Sequence, residues 1–297
     1  MCRHRGHELL EAGEGTNQRL VRCPYHAWAY GLDGSLEGAP GFGKVSGFDK
    51  ADYPLSQLRL VEWHGWLFAN ASGDAPPLEE HIGNLGESLE NHRPGDLVAA
   101  ARHDYEVAAN WKIIVENYHE CYHCSVIHPE FSKLSPPTSS YNLDPRGAWI
   151  GGPMDLADGT ETMSLTGESH APRLPHLAEG QERKVYYFGL FPNLLISIHP
   201  DYVMTHRLEP LAADRTAVEC EWLFSREAVE SVGFDPSYAH DFWDITNTQD
   251  WRACEGVQRG FSSRGYRQGP LSPREDAVYQ FVTMVARGYL EGRVESQ

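Results

Sequence analysis

Cys2 and His4 form a C-x-H pair at the head of the chain, and after 18 intervening residues Cys23 and His26 form a C-x2-H pair. If the four donors serve one centre, the chain between them has to leave and return, bringing two short loops together. Two Cys and two His at this spacing suit a tetrahedral zinc. They also suit a [2Fe–2S] cluster in which two Cys bind one iron and two His bind the other. One Cys and one His on each loop lets each loop reach both irons, which favours the cluster.

A second stretch, "HECYHCSVIH" at 119–128, offers two incompatible metal sites. Read from His119 it is H-E-x-x-H, with His119 and His123 as zinc ligands one helical turn apart and Glu120 as a hydrolytic base. Read from Glu120 it is E-x-x-H-x4-H, with His123 and His128 as ligands and Glu120 held for another role.

Charge and cysteine usage narrow the classes. A formal net charge of −17 argues against a nucleic-acid binder, whose affinity for phosphate rests on clustered Lys and Arg. No stretch approaches the ~20 apolar residues of a membrane span, and no leader-like segment is visible, so a cytoplasmic location is expected. Six cysteines in a chain of 297 residues point to metal or redox use rather than a disulfide scaffold.

Residues 1–75 read as short β segments separated by turns: "RLVRCPYHAWAY", the turn-rich "GLDGSLEG", and "LRLVEWHGWLFANAS". "SGDAPPLEEHIGNL" reads as a boundary. The chain then turns strand-like from Tyr105 and helical through "NWKIIVENYHECYH", and residues 135–180 read as a long excursion over a pocket. Strands are expected from Val185 to Phe224 and a helix across "HDFWDITNTQDWRACEGVQRGF". A last helix is predicted to start with Ser272 as N-cap, Pro273 at its first position and Glu275 completing a capping box.

"CRHRGH" and "CPYHAWAY" closely resemble the two cluster loops of Rieske non-haem iron oxygenases, the catalytic alpha subunits of the ring-hydroxylating family. The resemblance implies an α+β chain: a small all-β Rieske [2Fe–2S] domain over residues 1–78, followed by an α+β helix-grip catalytic domain with an antiparallel sheet over 79–297. It assigns Cys2, His4, Cys23 and His26 to the cluster. It also implies strands ahead of Cys2, and a valine where Met1 stands, so the natural protein is expected to begin further upstream.

The same resemblance settles the second stretch. "NWKIIVENYHECYHCSVIHPEF" is similar to the family helix carrying a two-His-one-carboxylate iron, which implies His123 and His128 as ligands. Residues five apart on a straight helix point about 140° apart, so the two rings converge only if the helix distorts or ends. Pro129 biases His128 out of helical geometry, which supports an ending there. "TNTQDWRACEGVQRGF" resembles the distal helix and implies Asp250 as third ligand, with Asp244 and Glu255 as runners-up. Glu120 is then implied as the bridge between His123 and the cluster ligand His26 of a neighbouring subunit, in a homotrimer. His119 is left as a packed residue, and Cys121 and Cys124 as buried small residues.

The implied reaction uses NAD(P)H electrons, passed by a separate flavin reductase through the cluster to a mononuclear Fe(II), to insert oxygen from O2 into a small substrate. "ECYHC" resembles the branch acting on choline, carnitine and glycine betaine, where N-methyl hydroxylation leads to demethylation. Trp149, Tyr186, Tyr187, Phe188, Phe191 and Tyr202 are candidate aromatic faces for such a cation. The alternatives are hydroxylation of an aromatic ring or acid, a pure Rieske electron carrier, and a zinc hydrolase.

Overall fold

A computed structural model describes residues 1–11, 13, 15 and 19–294. The chain divides into two compact units, one of Met1–Val61 with Leu67–Ala75, the other of Glu62–Trp66 with Pro76–Gln297. The predicted boundary at 78/79 lies at the start of the first helix of the second unit.

The first unit holds a three-stranded sheet, β1 (Leu20–Arg22), β2 (Ala29–Gly31) and β3 (Leu36–Gly38), paired in that order. Asp33 accepts from the Ser35 amide at 3.0 Å and so closes the turn between β2 and β3. Trp28, Tyr30 and Leu36 bury themselves with Cys2 and Cys23 in one small core. Further along, β4 (Arg59–Trp63) and β5 (Trp66–Asn70) pair in a two-stranded sheet.

From Pro76 on, the second unit runs through α1 (Leu78–Ile82) and α2 (Leu85–Leu89), then β6 (Val98–Val107), α3 (Trp111–Tyr118), α4 (Cys124–Ile127) and α5 (Pro129–Leu134). The strands β7 (Trp149–Asp155), β8 (Lys184–Leu190), β9 (Leu194–Ile198), β10 (Tyr202–Ala212) and β11 (Arg215–Phe224) follow. Last come α6 (Arg226–Glu230), α7 (Ser237–Phe261) and α8 (Asp276–Glu291). The six long strands form one antiparallel sheet in the order β6-β11-β10-β9-β8-β7. The expected α+β class with an antiparallel catalytic sheet is what the chain adopts. No helix is long and apolar enough to cross a membrane among the described residues.

Three expectations are corrected. The excursion at 135–180 contains β7, an edge strand whose residues are buried through Met154 and which continues the sheet beyond β8. The helix through "NWKIIVENYHECYH" stops at Tyr118 instead of running to His123. The last helix starts at Asp276: the Glu275 carboxylate does reach back to the Ser272 amide at 2.5 Å, but the four residues form a turn in front of the helix. From there Ala277, Val278, Phe281 and Met284 turn inward at helical spacing, each such side chain contributing about 1.5–3 kcal/mol if apolar and large.

α3 and α7 are locked to each other by polar contacts as well as by packing. Asn110 caps α3 through the Lys112 amide at 3.1 Å, donates its own amide to Gln258 of α7 at 2.9 Å, and donates its side-chain NH2 to the Ala213 carbonyl at 2.7 Å. Glu255 of α7 accepts from the Ala108 amide at 3.2 Å.

Candidate functional site

In the first unit, the two Cys/His segments fold into turns of the same shape. The Gly6 amide donates to the Cys2 carbonyl at 2.9 Å, and the Ala27 amide to the Cys23 carbonyl at 3.1 Å. Each turn closes on a left-handed residue, Gly6 at φ 71° and Ala27 at φ 58°. Both thiols are free and buried, whereas His26 lies at the surface with its ring centroid 3.8 Å from that of Tyr25, the two rings tilted. The His4 ring lies 4.8 Å from that of His26, edge to face, and 5.0 Å above Trp28. His4 Nδ1 is buried with no partner among the described residues. Burial opposes ionisation of Cys2, but hydrogen bonds from Tyr30 and the His4 amide, with Cys23 alongside, bring its pKa below the usual thiol value. A thiol held below its usual pKa, a second buried free thiol beside it and a buried imidazole nitrogen without a partner among the described residues suit the donor set of a Rieske cluster.

In the second unit, three side chains from two distant segments converge. His123 Nε2 lies 3.4 Å from Asp250 Oδ1, and His128 Nε2 lies 2.9 Å from the same oxygen. One donor atom from each residue falls within 4.8 Å of the others, and no comparable His/Cys/Asp/Glu group occurs elsewhere among the described residues. Local structure makes this possible. α3 ends at Tyr118, and the Glu120 carboxylate then accepts from the Tyr122 amide at 2.6 Å and the His123 amide at 3.1 Å, starting a new turn. α4 lasts only to Ile127, His128 leaves helical geometry at φ −121°, ψ 69°, and Pro129 begins α5.

The other ring nitrogens are held as well. Glu120 also accepts a hydrogen bond from His123 Nδ1, and Gln249 accepts one from His128 Nδ1 at 2.7 Å. Each imidazole thus keeps Nε2 turned toward Asp250. Burial works against a charge on His123, but hydrogen bonds to Asp250 and Glu120 outweigh it and push the pKa up to about 9. Burial likewise opposes the Asp250 charge, and the two imidazoles bring its pKa below the ordinary carboxylate value. A carboxylate and two oriented imidazoles with an open side suit a ferrous ion.

The runners-up lie elsewhere. Asp244 accepts from the Tyr105 hydroxyl at 2.7 Å, and Glu255 binds the Ala108 amide. His119 is the C-cap of α3, so it does not share a helical face with His123 as the zinc-hydrolase reading required. Its ring is buried against Gly189, where a Cβ would stand 2.1 Å from His119 Nε2, and burial drops its pKa to about 3. Cys121 and Cys124 are joined as a disulfide; only Cys124 is fully buried.

The three residues open on a cavity of about 500 Å3. Of the six aromatic candidates only Tyr187 lines it. Strand alternation turns Tyr186 and Phe188 to the opposite face, Trp149 and Tyr202 pack in the interior, and Phe191 packs on Trp111 and Phe281. Tyr118, Tyr122, Phe131, Tyr141 and Trp243 supply the remaining aromatic lining. Trp243 and Thr246 lie seven and four residues before Asp250 on α7, a spacing that puts them on its face of the helix. Gln249 had no comparable signal, because its neighbour Asp250 carries the chemistry. Close approach at Gly152 shapes one wall: a Cβ there would meet the Tyr141 carbonyl oxygen at 2.1 Å.

Comparison with known proteins matches residues 94–291 to the family "Ring hydroxylating alpha subunit (catalytic domain)" and residues 1–49 to the Rieske [2Fe-2S] domain. The carnitine monooxygenase oxygenase subunit of Escherichia coli is 34% identical over 271 residues, covering 90% of this chain and 68% of its own. The glycine betaine monooxygenase oxygenase subunit of Pseudomonas aeruginosa is 29% identical over 300 residues, covering 92% and 70%. Among solved structures, a quaternary ammonium Rieske monooxygenase studied for carnitine oxidation and inter-subunit electron transfer superposes with a TM-score of 0.81. It shares 28% identity over 96% of this chain and 76% of its own.

Proposed function

Because this chain belongs to the ring-hydroxylating alpha-subunit family, with a Rieske [2Fe–2S] domain ahead of the catalytic domain, we propose that it oxidises an N-methyl group of a small quaternary ammonium compound such as glycine betaine, carnitine or choline. The chain is an oxidoreductase whose cofactors are the cluster and a mononuclear iron, and it works with a separate reductase. The observation that carries the substrate reading is the convergence of His123, His128 and Asp250 on an aromatic-lined cavity of about 500 Å3. Aromatic faces attract a quaternary ammonium, which no hydrogen bond can hold.

In this reading residues 1–78 form the cluster domain, with Cys2, His4, Cys23 and His26 as its ligands, and residues 79–297 form the catalytic domain. Iron bound by His123, His128 and Asp250 supplies oxygen activation and insertion into a C–H bond. The side chains around it do the positioning: Glu120 and Gln249 orient the two imidazoles, while Tyr187 and Trp243 hold the cation against the site. Glu120 would also contact the cluster ligand His26 of a neighbouring subunit in a homotrimer and so bridge the two centres, in keeping with the inter-subunit electron transfer studied in the solved relative. The protein works in the cytoplasm, where NAD(P)H and a flavin reductase are at hand.

The test is an assay with a reductase against methylated amines and aromatic acids, following formaldehyde and NADH together. Formaldehyde released from a quaternary amine in step with NADH consumption is the expected result. NADH-coupled hydroxylation of an aromatic acid, with no formaldehyde from any amine, would replace the substrate class.

A further inference from the structure

The charged groups on the cavity wall are unequally committed. Glu120 is taken up by His123, and Asp250 by His123 and His128. Asp276 accepts from the Asn142 side chain at 2.6 Å. Arg274 lines the same cavity, yet no carboxylate among the described residues pairs with its guanidinium. Its backbone is held in place: the Arg274 amide donates to Ser272 Oγ at 3.3 Å, and Ser272 is tied to Glu275 through amide–carboxylate and amide–carbonyl bonds of 2.5 and 2.9 Å. The turn ahead of α8 therefore presents one uncommitted cation beside a cavity whose other walls carry aromatic faces. In a chain of formal net charge −17, with 42 acidic residues to 25 basic ones, this solvent-exposed arginine on the cavity wall, with no carboxylate partner among the described residues, leaves its guanidinium available to an anionic group entering the cavity.

We propose that Arg274 anchors a substrate carboxylate, so that the cavity selects zwitterions carrying a quaternary ammonium and a carboxylate over amino alcohols such as choline. The guanidinium grips a carboxylate through two parallel N–H bonds, which a hydroxyl cannot accept in the same way. The aromatic walls take the other end of the molecule. A cation without a counter-charge meets the same aromatic faces but also the repulsion of Arg274. This assignment rests on the N-methyl oxidation proposed above.

The test measures binding of glycine betaine and of choline to the loaded enzyme by calorimetry, and kcat and KM for both, in wild type, Arg274→Gln and Arg274→Lys. Arg274→Gln is expected to weaken glycine betaine binding and raise its KM by about 10- to 100-fold while kcat at saturation holds, since charge-assisted hydrogen bonds are worth that much. Choline binding stays unchanged or improves, and Arg274→Lys recovers part of the loss. Equal losses for both ligands, or no loss for either, would overturn the role of Arg274 while leaving N-methyl oxidation standing. A wild-type enzyme that binds and oxidises no quaternary amine would overturn both readings, and the wild-type data alone reveal that case.

Discussion

The two candidate metal centres are assembled on different plans. In the first unit, Cys2 and His4 sit in one turn and Cys23 and His26 in another of the same shape, each closed by an i+4 amide onto the cysteine carbonyl. Short-range backbone geometry does nearly all of the positioning. In the second unit, His123 and His128 hang on a helix interrupted at Glu120 and again at His128, and Asp250 comes from α7, over a hundred residues later. Its precision depends on Gln258 and Glu255 of α7 holding Asn110, the N-cap of α3, and Ala108, the residue after β6. A centre built from two turns survives local damage elsewhere, whereas one built across a sheet and two helices is sensitive to residues that touch no metal.

The largest effect expected from this contrast is at Asp250. Replacing it with Ala should lower formaldehyde formation at least ~100-fold, more than loss of an outer partner alone costs, with the cluster's visible absorbance unchanged. Next is Gln249, whose replacement by Leu removes the acceptor for His128 Nδ1. Iron affinity should drop about 10- to 100-fold, read by chelator competition, while a substitution at Tyr25 beside His26 should leave that affinity alone.

The pH response should separate the centres too. In the iron-free protein His123 carries its proton up to about 9, held there by Asp250 and Glu120 against the effect of burial. Iron has to displace that proton, so affinity at this site should rise by up to about tenfold per pH unit toward pH 9 and then flatten. For apoprotein stability the sign is reversed. A raised pKa favours the folded state below the unfolded value near 6.5, and that contribution is lost as pH climbs through about 9. Calorimetric melts of iron-free protein against pH would show it. The smallest effect is at Asp244: Asp244→Ala frees the Tyr105 hydroxyl and should cost about 1 kcal/mol in a denaturant melt with iron content intact.

Much of this was legible in the sequence, for physical reasons that differ by residue. The Cys/His spacings show because a two-loop centre is local in the chain. The break at His128 shows because Pro129 restricts the residue before it. The break after Tyr118 did not show, since "NWKIIVENYHECYH" contains no Gly or Pro to mark a stop, and only the Glu120 carboxylate, capturing two amides ahead of it, restarts the turn. β7 was hidden by the Gly-Gly-Pro run, where missing side chains make room for the Tyr141 backbone. The aromatic lining was mostly misassigned because alternation along β8 admits Tyr187 alone, while Trp243 enters from the helix that carries Asp250. The Cys121–Cys124 pairing depends on a turn that residue types alone do not specify.

The most direct measurement is a reciprocal metal count on two variants, Asp250→Ala and Cys23→Ser, by elemental analysis alongside the cluster spectrum. Asp250→Ala should lose the mononuclear iron and keep the cluster's irons, sulfide and absorbance. Cys23→Ser should lose the cluster and still bind one ferrous ion with His123 and His128 in place. An Asp250→Ala protein with its full iron complement, or a Cys23→Ser protein that loses both kinds of iron together, would contradict two separately built centres.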